Sequence, residues 1–399
     1  MPGLARSVGS ALLARTAAAM QAVVVVLFVL NRFHSPALAG LTVMMASLPG
    51  LLVSPMAGAL LDRVARIPLM ALDYSVGGSA LLVLTALALT HHLPRWALLI
   101  TVGTAALSTP LSSTGMRALF PTLVPRPLWD RANAIDSGGY VVAAVMGPGL
   151  AGLAVATLGS TIGLVVPAAL LVGAAVLLAG VRLPASVQAE PVHLLVDAGR
   201  ALVYVWRHPT LRMLAVTVSV MNLGWGVESV GLPVLVLHRL HGGAPTVGLL
   251  FAVMGVAGIA AALVVGRLGS EGRERRFFSI GCAVTVPMMA GLAVLHSEAL
   301  LAGCMILGGL ASGPVDVGIF SLRQRVTDPQ WFGRAFAVSM SLNMLGLPIG
   351  AALAGPILAH SVTTAFLAAA AVLLVASVLP HLMGDRSAPT VVIHAGGRI

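Results

Sequence analysis

The sequence predicts an all-α membrane protein: twelve transmembrane helices in two pseudo-symmetric six-helix bundles. Three observations carry this. The 399 residues are 58% hydrophobic and only 9% charged, with a mean hydropathy of +1.00. A soluble domain carries about 25% charged residues, so too few charges are present here for a water-facing surface. Twelve apolar runs approach the ~20 residues that a helix needs to cross about 30 Å of hydrocarbon. The two halves also repeat in order. Val124, Pro127 and Trp129 recur as Val326, Pro329 and Trp331; Gly58 and Leu60 recur as Gly266 and Leu268, with Ser270 where Asp62 stood; Pro148 recurs as Pro348.

The runs are approximately 12–31, 37–61, 68–90, 95–118, 133–157, 160–181, 212–238, 244–267, 277–296, 299–322, 334–359 and 361–382. Pro68 opens the third, where its missing N–H leaves no bond unmade. At the N-terminus, Arg6 and Arg15 precede the stretch Thr16–Leu30, and Ala37-Leu38-Ala39 has the small-residue pattern of a signal-peptidase site. Asn31, Arg32 and His34 intervene and a whole bundle follows, so an uncleaved first span is expected. The longest connection, 182–211, contains Asp197 to Arg207, whose apolar and basic positions suit a helix lying at the membrane interface. The expected organisation is a first bundle over 1–181, a linker over 182–211, a second bundle over 212–383 and a tail over 384–399. Repeats of this kind belong to transporters built from two six-helix halves, with the substrate near the midplane between them.

All 23 basic residues are arginine, and the formal net charge is +10. A basic balance can signal nucleic acid. In so apolar a chain it marks orientation, because cytoplasmic loops of membrane proteins are rich in basic residues. With both termini inside, twenty arginines fall on the inner side, and Arg32, Arg95 and Arg239 on the outer. No nucleic-acid partner is expected. Cys282 and Cys304 lie near the starts of successive antiparallel helices, with no partner at metal-ligand spacing, so both read as packing residues.

Between the second and third runs stands Gly58-Ala59-Leu60-Leu61-Asp62-Arg63-Val64-Ala65-Arg66. This resembles the signature loop of the major facilitator superfamily, Gly-x-Leu-x-Asp-Arg-x-Gly-Arg-Arg/Lys. Gly58, Leu60, Asp62, Arg63 and Arg66 match; Ala65 replaces the second glycine and Ile67 the last basic residue. Gly147-Pro148 followed by Gly152 resembles the antiporter motif Gly-x8-Gly-x3-Gly-Pro-x2-Gly-Gly, with Ala134, Ala143 and Ala151 at three of its glycine positions. The stretches Leu119–Ala134, Asp197–Arg212 and Arg323–Arg334 resemble the branch that includes macrolide-efflux and enterobactin-exporter proteins. The resemblance covers essentially the whole chain. It implies the major facilitator fold, secondary transport and no cofactor. It also implies that Asp62 braces the inner ends of the halves in the outward-open state, near Gly333 and Arg334. Many drug antiporters of the superfamily carry an arginine within the fourth helix; here none lies between Arg95 and Arg117.

Four acidic residues fall inside the expected spans: Asp73, Asp136, Glu228 and Asp316. A charge at the bilayer centre costs about 2.5–3.5 kcal/mol on insertion scales, so each needs a partner or a task. At 1.5 Å per residue, Asp73 lies about 7.5 Å beyond Pro68, Asp136 about 7.5 Å beyond Arg131, and Asp316 about 10 Å from Arg323. Those three are expected to pair with arginines of the inner loops. Glu228 lies about 24 Å from Arg212, more than two turns from Arg239. Asn222, Trp225 and Glu228 are spaced three apart and are expected to share a helix face. An acid, an aromatic and an amide there suit a cavity for an amphipathic ligand. Glu228 is therefore the expected proton-coupling residue, facing the central cavity, with Asn343 and Gln21 as lesser candidates of the same kind and Asp73, Asp136 and Asp316 as the coupling sites if Glu228 is structural.

No His-Glu-x-x-His, phosphate-cradling Gly-x-x-x-x-Gly-Lys or Gly-x-Ser-x-Gly occurs. An enzyme is not expected, and without the phosphate loop an ion gradient must power transport. The expectation is a monomeric, proton-coupled exporter of small amphipathic molecules (drug, macrolide or siderophore-like) in the cell's inner membrane. Its partners are the substrate, protons and the lipid bilayer. An importer on the same scaffold and a non-transporting membrane sensor or scaffold remain open.

Overall fold

A computed structural model describes residues 2–63, 65–125, 128–181, 194–268, 272–328 and 331–382, and every regular element among them is helical. Hydrocarbon offers no partner for backbone polar groups, and a helix satisfies them within one segment. The helices are α1 (Pro2–Phe33), α2 (Pro36–Arg63), α3 (Arg66–Leu89), α4 (Arg95–Ala106), α5 (Thr109–Leu123), α6 (Trp129–Ile162), α7 (Val165–Ala179), α8 (Leu194–Arg207), α9 (Pro209–Val234), α10 (Ala244–Leu268), α11 (Glu274–Val294), α12 (Glu298–Val326), α13 (Phe332–Met344), α14 (Gly346–His360) and α15 (Val362–Val378).

Among the described residues, eleven spans are long and apolar enough to cross a membrane, with α4–α5 and α13–α14 each forming one; the shorter apolar α7 makes a twelfth. The first span is longer than its hydropathy implies, beginning at Pro2 rather than near residue 12. Two charges that look like its end are absorbed by partners. Arg6 Nη1 donates to Gly180 O at 2.7 Å, and Arg15 pairs with Asp136. At the linker, α8 ends at Arg207 and His208 caps α9. His208 Nδ1 accepts the Leu211 N–H at 3.4 Å. Burial lowers the His208 pKa, which favours the neutral ring whose Nδ1 can accept. Residues 182–193 of the expected linker and the tail over 384–399 lie outside the described residues.

In the first half, α1 packs on α6 and α7, α3 on α7, and α2 on α4 and α5; in the second, α9 packs on α14 and α15, α10 on α12, and α11 on α12 and α15. The halves meet through α6 against α10 and α2 against α14. Both contacts use backbone approach at small residues. A Cβ on Gly152 would stand 2.6 Å from Ala244 O, and one on Gly355 would stand 2.7 Å from the Ala37 Cα. These contacts lie toward the end bearing the α1–α2, α9–α10 and α14–α15 turns, here the arginine-poor end. At the opposite, arginine-rich end, α13 packs on α8 and α9, and Gly266 of α10 has nothing near its Cβ position.

Prolines set the breaks. Pro110 has no N–H for the Ala106 carbonyl. The span bends at Leu107–Ser108, and Gly50 of α2 fits against that carbonyl, where a Cβ would lie 2.6 Å away. Pro348 plays the same part just after the α13–α14 break.

Candidate functional site

The bend between α4 and α5 has a chemical consequence, because it carries Ser108 to the α3 carboxylate. The Ser108 hydroxyl donates to Asp73 Oδ1 at 2.6 Å. Asp73 is 7% exposed, and among the described residues no arginine pairs with it. The expected pairing of Asp73 with an inner-loop arginine is thus replaced by a hydroxyl contact. Asp73 lines a cavity of about 220 Å³ shared with Arg15, Gln21, Tyr74, Ser112 and Tyr140. Alanines of α1 and the side chains of Val102, Met116 and Leu171 supply its apolar wall.

Across the cavity, Arg15 of α1 reaches α6. Its Nη2 forms an ion pair with Asp136 Oδ1, its Nη1 donates to Asp136 O at 2.8 Å, and its guanidinium lies 3.7 Å from the centre of the Tyr140 ring. Gly139 makes room for it: a Cβ there would come within 2.9 Å of Nη1. Asp136 does pair with an arginine, but not with one from a loop. Arg15 sits about 20 Å along α1 from Pro2, and the side chains of the pair are only 11% and 16% exposed. Sequence reasoning missed Arg15 as a site residue by assigning it to the inner loops. The signal that could have found it is a helix face shared with Ala11, Ala18 and Gln21.

The second half holds a separate polar cluster. Arg323 is fully buried in α12, 5.1 Å from the Phe336 ring centre and 3.0 Å from the Met340 sulfur. The orientation of the Asn343 amide that satisfies both its neighbours places its oxygen 2.6 Å from Arg323 Nη2 and its nitrogen 3.0 Å from Ser339 O. Asn222 Nδ2 donates to Asn343 O at 2.8 Å. Arg323 was also counted among loop cations. Asp316, two turns before it on α12, is exposed, and among the described residues no arginine pairs with it.

Glu228 is not part of either group. It is 3% exposed, its Oε1 has no hydrogen-bond partner among the described residues, and it does not line the cavity. The shared face expected of Asn222, Trp225 and Glu228 fails for a geometric reason. A three-residue step falls about 60° short of a turn, so two steps leave Asn222 and Glu228 about 120° apart. Asn222 turns toward α13. Glu228 lies on the side that Met221 turns to Cys282 of α11 and that Gly224 and Gly231 turn to Leu373 and Phe366 of α15. Trp225 packs half-buried against the main core.

The motif in α6 has a direct structural use. Gly147 abuts Ala19 of α1, the Pro148 carbonyl faces Gly248 of α10, and Gly152 meets the backbone of Ala244 and Gly248. For the signature loop, α2 runs to Arg63 and α3 starts at Arg66. The side chains of Gly58, Asp62, Arg63, Gly333 and Arg334 lie outside the described ones, so the expected contact of Asp62 does too. Among the described residues, no cluster of His, Cys, Asp and Glu has the form of a metal site.

Residues 8–388 match a family described as transmembrane secretion effectors. An uncharacterized MFS-type transporter of Sinorhizobium fredii is 39% identical over 375 residues, covering 92% of each chain. The multidrug efflux pump Tap of Mycolicibacterium fortuitum is 27% identical over 376 residues, covering 86% of this chain and 87% of its own. Among solved structures, the nucleoside transporter NupG superposes with a TM-score of 0.77 at 10% identity, over 96% of this chain and all of that one. A bacterial homologue of the iron transporter ferroportin, in an inward-facing state, gives 0.73 at 17% identity, over 96% of this chain and 98% of its own.

Proposed function

The chain belongs to the transmembrane secretion effector family of major facilitator transporters, and from that premise we propose that it is a proton-driven exporter of small amphipathic molecules in the bacterial plasma membrane. The observation that carries this reading is the first-half cavity. It combines an apolar wall and two tyrosines with a carboxylate, Asp73, that is held by a hydroxyl and, among the described residues, paired with no arginine, since Arg15 in the same lining pairs with Asp136. Such a group can hold either a proton or the cationic end of a ligand, and competition between them couples the two flows. The efflux pump among the relatives supports the outward direction.

The arginine-rich end is read as cytoplasmic. Of the twenty arginines assigned there, Arg15 and Arg323 sit within spans, which leaves eighteen against three. On this reading the closed α6–α10 and α2–α14 contacts seal the outside, and substrate enters from the cytoplasm. Alternating access then separates those contacts by rocking the first half, which holds the cavity, against the second. Cysteines introduced as His92→Cys and Arg273→Cys are expected to react from opposite sides of the membrane. Labelling of both from one side would overturn the topology.

Flux of a dye panel in sealed vesicles, with and without an imposed pH gradient, tests the function. Gradient-driven efflux of at least one amphipathic dye is expected; uptake down the same gradient would favour an importer, and binding without flux a sensor. Asp73→Asn is expected to lose gradient-driven flux by tenfold or more while retaining exchange. Glu228→Gln, whose position faces α11 and α15 rather than the cavity, is expected to keep most of it. The reverse pattern would move coupling back to Glu228.

A further inference from the structure

Helix α8, 14 residues and about 21 Å long, carries Asp197, Arg200 and Arg207 and is not among the apolar helices that could cross a membrane. It is packed at the arginine-rich end, mainly on α13 and α9 of the second half and also on α2 of the first. Ala201 and Val205 are fully buried. The Tyr204 ring stacks on Trp331 at 5.1 Å and 10°, and the Tyr204 hydroxyl accepts the Asp328 N–H at 3.1 Å. That bolts α8 to the connection between α12 and α13, so a restraint on α8 is a restraint on the second half.

The rest of its circumference divides in two. Leu202, Val203 and Trp206 are 43%, 49% and 53% exposed and fall within an arc of about 100° at 3.6 residues per turn. Arg200 and Arg207, both exposed, follow directly beside that arc. Arg212 adds a third cation near Trp206, donating to its carbonyl at 3.4 Å. A helix surrounded by water has no use for an outward Trp-Leu-Val face. Arginine is also common at protein interfaces, so what favours lipid here is the place of α8, packed beside the membrane-crossing helices α9 and α13 at the arginine-rich end. An apolar sector with an aromatic, bordered by arginines, is the chemistry of a helix lying in the headgroup region of an anionic bilayer.

We propose that α8 seats on the anionic phospholipid surface at the arginine-rich end, and that this seating sets the rate of alternation through the Tyr204–Trp331 stack. The second clause rests on the transport reading; the first does not. Leu202, Val203 and Trp206 enter the acyl boundary while Arg200 and Arg207 meet phosphates. Each arginine strengthens seating about fivefold, an effect that salt screens.

The test uses the full chain reconstituted in phosphatidylcholine vesicles with or without phosphatidylglycerol. Bromine-labelled lipids quench tryptophans at the acyl boundary, and subtracting the Trp206→Phe signal isolates Trp206. Phosphatidylglycerol is expected to raise Trp206 quenching and to speed dye flux several-fold. Arg200→Gln with Arg207→Gln should erase both differences, as should high salt. Tyr204→Ala should keep the quenching and lose the acceleration. Trp206 quenching indifferent to lipid charge, or concentration-dependent cross-linking of Val203→Cys copies in place of quenching, overturns the seating. Lipid-dependent quenching with lipid-independent flux overturns the link to alternation. Absence of flux in every lipid strikes the transport reading and leaves the seating judged by quenching.

Discussion

Asp136→Ala is expected to abolish gradient-driven flux and to lower the protein's stability by about 3 kcal/mol, near the low end for breaking a buried pair because both side chains keep some exposure. The reason is the arginine left behind. Arg15 lies deep in α1, and without the carboxylate it retains the Asp136 carbonyl and the Tyr140 face but no counter-charge. Asp136→Asn retains a hydrogen-bond acceptor and should destabilise less. Exchanging the residues, Arg15→Asp with Asp136→Arg, should recover much of the stability, since the pair spans α1 and α6 in either order. It should not restore flux if the cavity needs its cation on the α1 side. Melting followed by intrinsic fluorescence, alongside vesicle flux, separates these effects. An Asp136→Ala protein as stable as the parent would show that the pair carries no such weight.

Gly152→Val should drive the protein out of the conformation described here. Its Cβ would stand 2.6 Å from Ala244 O and 3.2 Å from the Cα atoms of Gly248 and Pro245. These are backbone atoms of α10, so relief requires the helices to part. Overpacking of this kind costs about 1–3 kcal/mol, equivalent to a shift of roughly 5–150-fold between two states. Spin labels on His92 and His296, one in each half at the arginine-poor end, should report a longer separation in the variant. Gly266→Val is the control, because nothing surrounds that Cβ position. An unchanged distance distribution in Gly152→Val would mean that α6 and α10 do not form the closing contact.

Much of this was legible in one dimension. Twelve apolar runs separated by turns and charges leave few alternatives to twelve helices, because hydrocarbon forces each segment to close its own hydrogen bonds. Pro148, Pro348, Gly147 and Gly152 likewise announce close backbone approach. Helix ends were less legible. Arg6 and Arg15 lower the local hydropathy and look like a terminus, yet α1 runs through both because Gly180 and Asp136 receive them.

The assignment of charges was not legible at all. Arg323 and Arg325 stand two residues apart and read alike. One is sealed among Phe320, Phe336 and Asn343, while the other reaches Glu274 at 2.8 Å on the surface of α12. Depth along the helices sets Glu228 apart as the residue to face the cavity and Asp73 as one to pair with a loop arginine, but Glu228 turns into the second half and Asp73 lines the cavity. Hydropathy and periodicity belong to a single segment, so the chain alone declares which stretches cross the membrane. A side chain's partner depends on how neighbouring helices are rotated and at what depth they meet, which is set by packing among segments far apart in the chain. That is why Ser108, 35 residues away, meets Asp73 and Asp136, 121 residues away, meets Arg15.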